Sequence, residues 1–425
     1  MMNTAWYTVS CADNDATVRF TPAVDRFWPP EILARDPFRP PGGDVERITL
    51  TGPGAVWMYA HAAAVSHAAG LAVRCDTPRP VGGSDDLHAC ESRLVLADAA
   101  RRYGVLEFSM RSAPPLSQDA KHRFVQAAID RLQRHSLRKL LLIGRASVDV
   151  YARLAATAIE AGVERLGCWS ARDGLVVVWD HRDAELGGPM PLPDWARRVL
   201  YRPELPVVIG VVGDPGVGKS VLSQILEAHA ADTGLRAWRL DCDAQSPTPP
   251  WYISLLATDA ESAAKLREQS KRPWTEPMET RIAGQLRTAR ELFDVLIADL
   301  PGGDHSRVPP ERVSATRVGM FQEVDAFIVL GGSSAKTPAG WLGDLRELGL
   351  DDRVAAVLMS EDSAAQPSLR SLHTTSGPFT GTVTGLDRRR LAEIGADGFI
   401  RAMKPGLITL WQHVLAHARR IAGRR

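Results

Sequence analysis

The sequence predicts an α/β protein in three parts. Two small α/β units follow one another as a pseudo-dimer, and a larger domain with a mostly parallel sheet completes the chain. Three observations predict this. Residues Gly213-Asp214-Pro215-Gly216-Val217-Gly218-Lys219-Ser220 form a complete phosphate-binding loop. A strand-Gly-helix-Gly-strand order occurs twice before it, and near-continuous apolar runs of strand length recur after it.

The phosphate loop stands in the context its chemistry needs. Pro206 to Val212 reads as a buried strand, and Val221, Leu222, Ile225 and Leu226 form the apolar stripe of a helix. Strand, glycine turn and helix together aim backbone N–H groups and a helix N-terminus at phosphates. The glycines permit close backbone approach and positive φ. Lys219 is placed to reach the β/γ-phosphates, and the Ser220 hydroxyl to coordinate Mg²⁺. The C-terminal part therefore reads as a P-loop NTPase domain.

A chain of 425 residues is too long for one core. Its net charge of +1 supplies no global basic field, so binding to long nucleic acid is not expected. Five cysteines (Cys11, Cys75, Cys90, Cys168, Cys242) lie scattered with no CxxC pair. That usage suits a reducing cytoplasm rather than a disulfide framework or zinc knuckle. The N-terminus does not read as a signal peptide, and no apolar run reaches the ~18 residues of a membrane helix.

The first duplicated segment runs from the strand Ile48-Thr49-Leu50-Thr51-Gly52 through a helix to Gly70 and a strand at Leu71–Cys75. The second runs from Leu140-Leu141-Leu142-Ile143-Gly144 to Gly162 and a strand at Val163–Cys168. Gly52, Val56, Tyr59, Ala60 and Gly70 recur as Gly144, Val148, Tyr151, Ala152 and Gly162, at one offset of 92 residues (52 to 144). The expected organisation is a first unit over 1–95, a second over 96–183, a linker over 184–205 and the nucleotide domain over 206–425. The linker reading rests on five prolines and two adjacent glycines from Asp183 through Pro206, with a short helix around Trp195–Tyr201.

The nucleotide domain continues with strands at Ala237–Leu240, Asp294–Asp299, Ala326–Leu330 and Ala355–Met359, whose apolar runs suit burial on both faces of a parallel sheet. Helices are expected at Arg281–Leu292 and Leu407–Ala418, and a loop with one short strand between Glu361 and Thr384. Asp299 follows its apolar run directly, where such folds hold the Mg²⁺ shell. Asp241 and Asp243 end the strand after the loop helix, with Asp241 preferred as the site acid because it lies immediately past the strand. Asp299-Leu300-Pro301-Gly302 resembles the signal-recognition and partition-ATPase superclass, whose members often dimerise around nucleotide. Asp214 stands where part of that superclass has a second lysine, so lysine-in-trans chemistry is not supported. ATP rather than GTP is expected, because the strand at Ala355 runs on into Met359-Ser360-Glu361-Asp362 and not into a guanine-reading Asn-Lys-x-Asp.

In the first unit, Tyr59, Ala63 and His67 share a helix face. His67 at a helix end, Asp76 at a strand end and Arg79 in the next turn could converge at one edge. Such a trio suits phosphodiester chemistry: Arg79 clamping phosphate, His67 moving a proton or binding metal, and Asp76 orienting the histidine or holding a divalent ion. The alternative is a capping histidine, a turn aspartate and a solvated arginine.

Gly52-Pro53-Gly54-Ala55-Val56-Trp57-Met58-Tyr59, then His67, then Asp76-Thr77-Pro78-Arg79, resembles the CRISPR-associated Csx-three (Crn-three) family over about 80 residues. The resemblance implies small dimeric α/β units linked to type III CRISPR antiviral defence. It also implies a Mn²⁺-dependent ring nuclease that cuts cyclic tetra-adenylate sandwiched between dimers, in some members fused to a P-loop ATPase. It places the catalytic histidine at His67 and the aspartate, also a metal ligand, at Asp76. The arginine falls on Arg79 after a one-residue insertion, since Pro78 holds the strict position, and the family proline before x-Trp is Ala55 here. In the second unit Asp149 and Ile159 take the tryptophan and histidine positions. That unit is expected to supply shape and ring contacts, closing with a strand at Asp173–His181. Cyclic oligoadenylate, ATP and further copies of the chain, as a dimer or higher oligomer, are the implied partners. Three other readings stand beside this: a non-cleaving ring sensor signalling to the ATPase, a small-molecule or nucleoside kinase with an accessory domain, and an RNA 3′-end exonuclease.

Overall fold

The structure is a computed structural model that describes residues 5–21, 28–52, 54–76, 90–97, 102–110, 117–200, 206–243, 248, 250–271, 275–332, 336–373 and 377–424. Two compact units divide the chain, one running to Tyr201 and one from Arg202.

The N-terminal unit begins with strands β1 (Tyr7–Ala12) and β2 (Asp15–Phe20), a helical turn α1 (Ile32–Arg35), strand β3 (Arg47–Thr51), helix α2 (Val56–Ala68) and strand β4 (Ala72–Asp76). It continues with β5 (Cys90–Leu96), β6 (Tyr103–Met110), α3 (Gln118–Gln133), β7 (Lys139–Arg145), α4 (Val148–Glu160), β8 (Arg165–Ser170), β9 (Gly174–Asp180) and α5 (Asp194–Leu200). Two sheets result, ordered β1-β2-β3-β4 and β5-β6-β7-β8-β9. In each, an antiparallel hairpin leads into two parallel pairings: β1 and β2, then β3, then β4 in the first sheet, and β5 and β6, then β7, then β8 in the second.

The repeat extends to single hydrogen bonds. Tyr59 donates its hydroxyl to the Gly52 carbonyl at 2.7 Å, and Tyr151 donates its own to the Gly144 carbonyl at 2.6 Å. Both glycines have positive φ, +98° and +118°, and a Cβ on either would strike the backbone of the preceding hairpin, at Phe20 or Phe108. Helix α2 is buried on nearly every side because it is packed against α4 as well as its own sheet, and its alanines let the two helices approach. Trp57 and His61 of α2 reach the second repeat, donating to Asp173 and Val178.

Two segments differ from expectation. β5 straddles residue 95 and pairs into the second sheet, and among the described residues the last strand of the first sheet is β4, ending at Asp76. Much of the proline-rich stretch from Asp183 is packed onto this unit: Leu186, Met190, Leu192 and Leu200 are buried, and Gly187 and Met190 donate to carbonyls of β9. Prolines stop regular structure without preventing burial of the apolar residues between them.

The C-terminal unit contains β10 (Val207–Gly213), α6 (Lys219–Asp232), β11 (Ala237–Asp241), α7 (Pro250–Leu256), α8 (Ala260–Ser270), α9 (Glu276–Arg290) and β12 (Val295–Asp299). There follow α10 (Val318–Gln322), β13 (Ala326–Gly331), α11 (Ala339–Glu347), β14 (Val354–Glu361), β15 (Ser368–His373), β16 (Phe379–Thr384) and α12 (Arg388–Ala422). They form one sheet, β11-β12-β10-β13-β14-β16-β15, parallel except for β15. Every residue of β10, β12 and β13 is buried, which accounts for their unbroken apolar runs. The segment expected to be a loop and one strand holds two, β15 and β16. Serines and threonines alternate there with Leu369, Phe379 and Val383, which turn inward. The final helix starts earlier than expected, capped by Asp387, and bends at Gly395, where φ is +67°.

Candidate nucleotide site

The site follows from the strand order. β10 sits centrally, with chain connections leaving toward β11 and β12 on one side and β13 and β14 on the other. Such a switch point opens a crevice at the C-terminal ends of the strands. The phosphate loop leaves β10 there, turns through Gly216 and Gly218 (φ +86° and +94°), and enters α6 at Lys219. A Cβ at Gly218 would lie 2.5 Å from that of Leu386, so no larger residue fits.

A cavity of about 400 Å³ opens above the loop, lined by Lys219, Ser220, Asp243, Arg267, Asp299 and Arg388 among others. Lys219 is held down in it, its Nζ 3.5 Å from the Asp214 carbonyl. Burial lowers its pKa, opposed by the charges of Asp299 and Asp243. Asp299 ends β12 beside Val211. Its carboxylate accepts from the Arg239 guanidinium of β11, and both groups are buried. Arg239 also donates to the Thr248 carbonyl at 3.0 Å and stands 3.7 Å from Asp241. Burial pushes the Asp241 carboxyl up to about 6, with the Asp299 charge adding to the rise and Arg239 opposing it.

The structure sorts the expected site residues. Pro215, Gly216, Gly218, Lys219, Ser220, Asp243 and Asp299 line the cavity. Gly213 ends β10, and Val217 is buried in the core. Asp214 is not turned to phosphate: its buried carboxylate accepts from Trp341 Nε1 at 2.8 Å and Arg312 Nε at 3.1 Å, with His305 3.5 Å away. The structure separates Asp241, the acid the sequence favoured, from Asp243. Asp241 accepts the backbone N–H groups of Thr248 (2.6 Å) and Asp243 (3.1 Å), which fixes the turn, while Asp243 faces the cavity. Sequence reasoning missed Arg239, Arg267 and Arg388. The signal for Arg239 was a charge within the apolar strand Ala237–Leu240, and for Arg388 an arginine run directly after a helix-capping aspartate.

Ser220, Asp243 and Asp299 offer hard oxygen donors around one space, a set that fits Mg²⁺ when phosphate oxygens complete the shell. Among the described residues no cluster of three or more His, Cys, Asp or Glu side chains could hold a metal by itself.

In the N-terminal unit the expected convergence of His67 and Asp76 does not occur within one chain. His67 lies in the last turn of α2, near the start of β4, whereas Asp76 ends β4 in register with Thr51. Asp76 also alternates to the opposite sheet face from Val73 and Cys75. Those two residues share with His67 a cavity of about 240 Å³, whose wall in the second repeat includes His122, Arg153 and Glu160. Arg79 lies outside the described residues. Asp76 and His67 therefore do not make a Mn²⁺ site in a single chain.

No protein-family model and no curated protein matches the chain. Among solved structures, the septum site-determining protein MinD from Pyrococcus horikoshii, complexed with Mg-ADP, is 12% identical and covers 51% of this chain and 95% of its own, at a TM-score of 0.28. The signal recognition particle 54 kDa protein from Aeropyrum pernix, in complex with GDP, is 12% identical over 70% of this chain and 67% of its own, at 0.27. A DUF1611 family protein from Anabaena variabilis is 10% identical over 89% of this chain and 91% of its own, at 0.21. At TM-scores this low the likeness assigns no function, and the functional reading rests on the residues of the cavity.

Proposed function

We propose that the C-terminal unit binds ATP with Mg²⁺ and hydrolyses it. The observation that carries this is the convergence of Lys219, Ser220, Asp243 and Asp299 on one cavity over a left-handed glycine turn. Lys219 and the N–H groups opening α6 receive the phosphates, and Ser220, Asp243 and Asp299 hold the ion. Magnesium, when bound, would supply positive charge that offsets the negative charge developing on the phosphate oxygens. Asp299 starts from an ion pair with Arg239, so this chain's acid arrives at the site already oriented. The test is Mg²⁺-dependent turnover of ATP against GTP, with Lys219→Ala as control. We expect hydrolysis of ATP and its loss in the variant; unchanged hydrolysis would remove the phosphate loop from the working site.

For the N-terminal unit we propose a cyclic oligoadenylate ring nuclease, of type III CRISPR association, acting on cyclic tetra-adenylate. The resemblance around Trp57, His67 and Asp76 supports this reading, as does the opening of His67 into a cavity shared with the second repeat. Because one chain keeps His67 and Asp76 apart, the reading requires two chains to meet across the ring. The ribose 2′-oxygen then attacks its own 3′-phosphorus, the bond to the 5′-oxygen breaks with its electron pair on that oxygen, and His67 moves the proton. Incubating the full chain with radiolabelled cyclic tetra-adenylate and divalent metal, with and without ATP, tests this. Linear products that disappear in His67→Ala support it. Binding without cleavage favours a sensor, and absence of both returns the case to a P-loop kinase.

A further inference from the structure

Helix α12 begins with a charge arrangement that its own fold does not explain. Asp387 caps the helix, accepting from the N–H groups of Arg389 and Arg390 at 2.8 and 3.0 Å. Arg388 occupies the first helical position, the end of a helix where a cation is disfavoured by the aligned peptide dipoles. Arg390 is compensated by Gln366 at 2.6 Å and by Glu393. Arg388 has no hydrogen-bond or ion-pair partner among the described residues, and it lines the cavity with Lys219. Burial pulls its pKa down and Arg267, lining the same cavity, adds to the drop, while Tyr252 and Asp299 oppose it. Arg267 lies over the Tyr252 ring, 5.1 Å from its centroid. A guanidinium held against burial, a like charge and a helix dipole is stabilised when an anion enters beside it. The phosphate loop brings that anion.

We propose that Arg388 is a catalytic residue supplied by the chain itself, contacting the terminal phosphoryl group of the bound nucleotide. This rests on the ATPase reading and adds the group that stabilises its transition state. Water oxygen bonds to the γ-phosphorus, the bond to the β–γ bridging oxygen breaks with its electron pair on ADP, and the water proton passes to solvent. Negative charge grows on the bridging and γ-oxygens during that step. A fixed guanidinium there acts on the transition state more than on bound ATP.

The experiment compares wild type, Arg388→Ala and Arg388→Lys by steady-state ATP hydrolysis, equilibrium binding of ATP and thermal unfolding. We expect Arg388→Ala to lower kcat by about 10²- to 10³-fold with ATP affinity within about threefold, and Arg388→Lys to fall between. Because Arg388 lacks a protein partner, the melting temperature of the nucleotide-free alanine variant should not fall. Hydrolysis by Arg388→Ala within about threefold of wild type overturns the role. So does weakened ATP binding at unchanged kcat, or a lowered melting temperature that alone accounts for lost activity. A wild type that binds ATP and turns none over overturns the ATPase reading itself, and the role of Arg388 with it.

Discussion

His61 of helix α2 donates its Nδ1–H to the Val178 carbonyl oxygen, 2.7 Å away and 117 positions along the chain. Its other ring nitrogen accepts the Phe38 N–H at 3.3 Å, which fixes the neutral tautomer. One buried imidazole thus joins the first repeat to the closing strand of the second. Burial lowers its pKa from 6.5 to about 4.

A pH dependence follows from that histidine. A depressed folded-state pKa means the unfolded chain takes up the proton first. Its contribution is therefore complete above pH 6.5 and is lost as pH falls toward 4. Denaturant unfolding of the N-terminal unit should lose up to about 3 kcal/mol across that window. His61→Gln should flatten that slope, and an unchanged slope would place the acid sensitivity elsewhere.

Gly144 and Gly162 of the second repeat separate steric from conformational roles. At Gly144 a Cβ collides with the Phe108 backbone at φ +118°, whereas at Gly162 (φ +81°) nothing lies within 4 Å. Gly162→Ala should cost about 1–2 kcal/mol, the strain of a left-handed alanine. Gly144→Ala should cost more than about 3 kcal/mol, because the backbone itself must move. Urea midpoints of the two variants decide this.

Arg239 and Asp299 form a buried pair at the centre of the nucleotide unit. Arg239→Met leaves the carboxylate without its cation and should cost about 3–5 kcal/mol. Adding Asp299→Leu should recover most of that loss while abolishing Mg²⁺-dependent turnover. Equal stability of the single and double variants, measured by denaturation, would show that the pair is not coupled.

Asp214 ties the phosphate loop to Trp341, Arg312 and the His305 segment. Asp214→Ala strands those donors in a buried place and should cost about 2–4 kcal/mol. Trp341 is fully buried, so altered Trp341 fluorescence in the folded variant is the accompanying readout. Asp214→Asn keeps an acceptor for the indole and should lose less.

The chain by itself determined the phosphate loop, because glycine spacing, Lys219 and Ser220 are all local to one strand-turn-helix. It determined the repeat as well, through residues such as Gly52 and Gly144 whose backbone geometry admits little else. The parallel strands were legible because burial on both faces requires unbroken apolar runs. What only the tertiary structure decided are relations between distant segments. Asp241 and Asp243 differ by two positions, and the turn after β11 sends one to backbone N–H groups and the other to the cavity. Arg388 enters the site because Leu386 packs on Gly218, and the sequence shows no link between them. His67 and Asp76 are close in sequence yet far apart, since a β-α-β connection places the end of the helix and the end of the following strand at opposite ends of that strand. Local pattern encodes elements; which edge and which face each side chain meets is set by the order in which the strands pair.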